Sequence, residues 1–125
     1  MNDLHIEFYR GDYFEYRFQI LDNDGQIVHL GENNDLFLSV KREYKSNEYV
    51  LQKKLGDGIT WEEENNCYLV KFENADTQDS FTGEFVFDIV IVYEGTKPET
   101  HTGTFELLSD VTRNEVASNA NSTNN

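Results

Sequence analysis

Gly83-Glu84-Phe85-Val86-Phe87-Asp88-Ile89-Val90-Ile91-Val92-Tyr93 is the stretch whose reading decides the fold class. Phe85, Phe87, Ile89, Ile91 and Tyr93 share one face of an extended chain; Val86, Asp88, Val90 and Val92 share the other. This period of two belongs to a β-strand, whose successive side chains point to opposite faces. The β-branched and aromatic residues favour the same conformation. Both faces are mostly apolar, which a fully solvated face would not be. The strand therefore either lies centrally with both sides covered or offers its second face to a partner. Asp88 interrupts that second face and reads as a buried acid paired, for instance, with a nearby Arg or a hydroxyl, a structural role rather than a catalytic one.

The same alternation extends along the chain on both sides. Leu4, Ile6 and Phe8 mark a first strand, and Phe14, Tyr16, Phe18 and Ile20 a second. Asp22-Asn23-Asp24-Gly25 is a tight turn, because Asn and Asp tolerate left-handed geometry and Gly adopts it without steric cost. A short return strand is expected over Gln26 to Leu30. Leu36, Leu38 and Val40 pair with Tyr49 to Lys53 as a basic hairpin. Ile59 to Trp61 and Tyr68 to Phe72 flank a polar loop, and Asn74 to Ser80 is a polar connection with room for one helical turn. Thr102 to Leu108 closes the series. About eight or nine short strands without an amphipathic helix predict an all-β fold, an antiparallel sandwich or small barrel. Residues 1–113 form one domain in this reading, and the polar residues 114–125 a disordered tail.

The chain has 125 residues, enough for one core, and a net charge of −14. Binding along a phosphate backbone needs a basic stripe, so no nucleic-acid partner is expected. The charge is uneven. Lys41, Arg42, Lys45, Lys53 and Lys54 face only Glu43 and Glu48 within residues 41–54, a local balance of +3 that leaves −17 elsewhere. Such a dipole can orient one copy against another or against a basic partner. The first residues show no basic, apolar leader, and no apolar run approaches the roughly 20 residues of a membrane span, so a soluble chain with no membrane partner is expected. A single cysteine, Cys67, rules out an internal disulfide and reads as a half-buried structural thiol suited to a reducing cytoplasm.

The search for chemistry is mostly negative. His5, His29 and His101 lie in separate strands or strand ends without ligand spacing, and no metal or cofactor is expected. The Asp22 turn fails the calcium-loop pattern, since Gly31 stands where the bidentate acid belongs. Nucleophile elbows, phosphate loops and Cys-His arrangements are absent, so no catalytic residues are assigned. Arg10-Gly11-Asp12 reads as a bend between strands.

The order of signals is nevertheless distinctive. It runs through Arg10-Gly11-Asp12-Tyr13-Phe14, Asp22-Asn23-Asp24-Gly25, Val40-Lys41, Tyr68-Leu69-Val70 and Asp76-Thr77. It ends with Gly83-Glu84-Phe85-Val86-Phe87-Asp88-Ile89, Gly103-Thr104-Phe105 and Asp110-Val111-Thr112-Arg113. This succession, over residues 6–113, resembles bacteriophage tail and baseplate structural proteins, in particular the N-terminal domain of baseplate upper proteins. The resemblance implies an immunoglobulin-like or related sandwich that assembles with its own copies or with tail or baseplate proteins, in the virion and in the host cytoplasm during assembly. It implies no catalytic residues. The expected function is thus a non-enzymatic virion structural protein. Its interface would use the basic hairpin residues Lys41, Arg42, Lys45, Lys53 and Lys54, or the second face of the long strand at Val86, Val90 and Val92. The alternatives are an acidic inhibitor mimicking nucleic acid, and a sandwich binding carbohydrates or small apolar ligands.

Overall fold

A computed structural model describes residues 4–80 and 82–109. The expected tail at 114–125, the domain limit at 113 and the Asp110–Arg113 segment lie outside the described residues.

The alternating segments form strands β1 (Leu4–Tyr9), β2 (Phe14–Phe18), β3 (Asp35–Lys41), β4 (Leu51–Leu55), β5 (Gly58–Glu62), β6 (Cys67–Phe72), β7 (Gly83–Val92) and β8 (Glu99–Leu108). One helical turn, α1 (Asn74–Thr77), sits where the polar connection was expected. The fold is all-β. The strands run as one eight-stranded sheet in the order β1-β8-β7-β3-β4-β5-β6-β2. This corrects the antiparallel expectation in two places: β1 pairs parallel with β8, and β4 parallel with β5. The second pair arises because Gly56 (φ 89°) and Gly58 (φ 101°) step the chain sideways, so β5 continues in the direction of β4. The expected return strand at 26–30 reduces to a single bridge, Leu21 to Ile27. Most side chains there are exposed, so little burial drives a longer pairing.

The sheet curls until its two edges meet side chain to side chain, giving an incomplete barrel. Phe8 of β1 stacks on Phe14 of β2 at 4.8 Å between ring centres. Phe8, Phe72 and Phe105 pack mutually from β1, β6 and β8 at 5.3–5.7 Å. Tyr16 of β2 reaches Phe87 of β7 across the interior. Burial of each such large side chain contributes about 1.5–3 kcal/mol. Gly11, at φ 83°, turns β1 into β2, and Thr77 of α1 accepts its N–H at 2.8 Å, so α1 is fastened over that end. The long connection 19–34 covers the opposite end, where Ile20 and Leu30 are buried and the Leu30 N–H donates to the Tyr68 hydroxyl.

Candidate functional site

β7 is an internal strand between β3 and β8. Its inward residues Phe85, Phe87, Ile89 and Ile91 are buried, while Val86, Val90 and Val92 on the outward face are half-buried. The outward face is divided by charge. Asp88 lies between Val86 and Val90, and its carboxylate meets Lys41 Nζ at 3.3 Å, so the acid is paired by a lysine rather than by the Arg or hydroxyl expected. Val90 has Phe37 beside it on β3, and Lys54 Nζ lies 5.6 Å from that ring.

The β3–β4 loop, residues 42–50, folds back toward this face. The Tyr44 hydroxyl donates to the Gly103 carbonyl of β8 at 3.1 Å, and Lys41 Nζ lies 5.9 Å from the Tyr49 ring. Tyr44 (49% exposed), Tyr49 (54%) and Val50 (39%) still present much of their surface, with exposed Arg42 and Lys45 beside them in the chain. Sequence reasoning picked out the cations of this loop and missed its aromatic tip, because Tyr44 lies outside any alternating segment.

Lys53 is a correction to the basic surface. It occupies an inward position on β4 between Leu51 and Leu55 and is 9% exposed. Its Nζ binds Asp76 of α1 at 2.6 Å and lies 5.8 Å from the Phe72 ring. Its charge is consumed inside the fold, so the outer basic group comprises Lys41, Arg42, Lys45 and Lys54.

A cavity of about 400 Å³ opens at the end of the β1–β2 seam opposite the Gly11 turn. Leu4, Phe18, Ile20, Leu21, Ile89 and Ile91 form its apolar wall. His101 Nε2 and Glu99, 2.6 Å apart, give it a polar side. Edge strands β1 and β2 touch at Phe8 and Phe14 but carry no mutual strand pairing, which leaves this gap between them.

Two titratable groups adjoin at the far end of β5 and β6. The Arg17 guanidinium hydrogen-bonds Glu62 at 2.8 and 3.1 Å and, with help from Asn65, holds its carboxyl down to about 2. A depressed carboxylate stabilises the fold above its ordinary value, and that contribution is lost as pH falls through the depressed one. Stability is therefore expected to drop between about pH 4.5 and pH 2, and Glu62→Gln to flatten that drop when melting temperature is followed against pH. Cys67 is buried rather than half-buried. Burial, then the neighbouring Glu62 carboxylate, pushes its thiol up, which disfavours the thiolate that a nucleophile needs. An aromatic disulfide reagent is expected to leave Cys67 unmodified in the native protein and to titrate one thiol in urea; rapid native labelling would contradict this burial.

No protein-family model matches the chain, and neither does any curated protein. Among solved structures, a Bacteroides vulgatus protein named as a glycoside hydrolase aligns with 86% of this chain and 16% of its own, at 17% identity and a TM-score of 0.39. The chain thus spans about a sixth of that protein, and a likeness at this TM-score carries no argument about fold family or activity.

Proposed function

We propose that this protein is a non-enzymatic structural and assembly protein of a phage tail or baseplate, acting through contacts with its own copies or with neighbouring tail proteins. The immunoglobulin-like relationship belongs to the same proposal. The observation that carries the contact mode is the β3–β4 loop, where exposed Tyr44, Tyr49 and Val50 stand with Arg42 and Lys45 on an otherwise strongly acidic chain. Tyrosine and arginine are enriched in interface cores, and opposite charge on the rest of the molecule supplies a complementary surface on a second copy. The first motif of the resemblance is a bend between β1 and β2 and the second is a turn, so both have a structural explanation that an assembly domain shares.

Light scattering after size exclusion, at low and high salt, tests this. A defined oligomer that loosens with salt is expected, and Lys45→Glu with Tyr49→Ser should return it to monomer while leaving the melting temperature within a few degrees. A monomer at every concentration and salt would remove self-assembly through this loop.

A second reading draws on the apolar cavity beside His101 and Glu99. A site of this size, mostly apolar with a few polar groups, suits a small apolar ligand. Salt-independent monomers that bind such compounds would favour it.

A further inference from the structure

We propose that the outer face of β1 and β8 carries a site for a divalent transition-metal ion of the zinc class, held by His5, Glu7 and Glu106. His5 and Glu7 are two residues apart on β1 and share its outward face. The parallel register sets Glu106 beside Glu7 and Thr104 beside His5. Ligand atoms of His5, Glu7 and Glu106 all lie within 4.8 Å of one another. Zinc binds imidazole nitrogen and carboxylate oxygen at about 2.0–2.2 Å, so ligands sharing one ion stand roughly 3–3.5 Å apart. Small rotations of exposed His5 and Glu7 and of half-buried Glu106 cover the difference.

The imidazole separates this cluster from ordinary acidic surface. Its Nδ1 lies 2.6 Å from Thr104 Oγ1 and its Nε2 lies 2.9 Å from Glu7. With Nδ1–H donating to the threonine, Nε2 points into the carboxylates, the arrangement that orients metal-binding histidines. An ion between Nε2 and the Glu7 carboxylate takes the nitrogen lone pair. Charge favours its uptake as well. Glu84 of β7 stands beside Glu106, so three glutamates lie in a row across β7, β8 and β1. Like charges directly opposite one another destabilise a sheet. The ion pairs found among the described residues include neither Glu84 nor Glu106. His5, Thr104, Glu106 and Glu84 also line a hollow of about 300 Å³, with Arg42 in its wall, so a bound ion would keep coordination positions open to solvent or to an anion. An imidazole ligand selects a zinc-like ion over magnesium or calcium, which prefer oxygen.

His101 and Glu99 form a similar imidazole–carboxylate pair at 2.6 Å and lie outside this cluster, which makes them an internal control. The test is calorimetric titration of zinc chloride into the full chain after chelator treatment and dialysis. One saturable site is expected, lost in His5→Asn and unchanged in His101→Asn. Thr104→Val should weaken it about 10–100-fold, as loss of an orienting hydrogen bond does. Each variant's metal-free melting temperature should match the parent's. Absence of saturable uptake, uptake that survives His5→Asn, or equal affinity for magnesium would overturn the proposal.

Discussion

Asp76→Ala is expected to lower the unfolding free energy by about 2–4 kcal/mol, while Lys53→Met costs under about 1 kcal/mol. The two residues form one ion pair, yet their removal is not equivalent. Asp76 Oδ2 accepts from Lys53 Nζ at 2.6 Å and from the Glu73 N–H at 2.7 Å, so one carboxylate both neutralises an inward lysine and closes the capping box of α1. Deleting it strands an ammonium on a side chain only 10% exposed, beside the Phe72 ring, and opens the start of the helix. Breaking a buried pair from one side costs roughly 3–5 kcal/mol, and the 21% exposure of Asp76 argues for the lower part of that range. Methionine at 53 keeps most of the volume and removes the charge that needed a partner. Urea unfolding followed by Trp61 fluorescence measures both. Lys53→Met added to Asp76→Ala should recover much of the loss, and equal costs for the two single variants would contradict this account.

Gly103→Ala should be as damaging, for a steric reason. Gly103 faces Leu4 across the β1–β8 pair. A Cβ there would stand 2.6 Å from the Leu4 carbonyl oxygen, 2.6 Å from a Phe87 ring carbon and 2.7 Å from Leu4 Cβ. One neighbour is backbone and another is a fully buried ring, so neither can yield by a simple rotation. Overpacking of this kind costs about 1–3 kcal/mol and sometimes more. A fall of roughly 10–15 °C in melting temperature corresponds to the upper end for a domain of this size. A change within about 2 °C would mean that β1 can move outward freely. Because β1 carries His5 and Glu7, its displacement should also spoil the proposed metal site, so this variant is kept out of the zinc titrations.

The period-two pattern in the sequence located every strand found among the described residues and the class of fold, because alternation reports which side chains leave water. Partnership was not legible. Whether β1 lies beside β2 or β8 depends on contacts nearly a hundred residues apart, and no local pattern encodes them. The parallel β4–β5 step was equally hidden, although Gly56 and Gly58 signalled a turn. The return strand after Gly25 failed because Gln26, Ile27 and His29 are exposed, and Val28 and Leu30 alone turn the segment inward. Lys53 was misplaced although the clue was present: Leu51 and Leu55 flank it at strand spacing, so a lysine at that position had to point inward. The His5, Glu7 and Glu106 grouping was out of reach of spacing rules, since it exists only through the β1–β8 register.

That register also governs how the chain comes to be folded. Leu4 meets Gly103 ninety-nine positions later, and the contact is made strand to strand with no local hairpin to guide it. Closing a loop of this length costs on the order of 4 kcal/mol in chain entropy before any pairing rewards it. Folding rates fall as such distant contacts come to dominate. During synthesis Ile6 and Phe8 are made about a hundred residues before the strand that shelters them. Until β8 is made, β1 is an unpaired apolar strand, and that interval is when it is most exposed to pairing with the wrong chain.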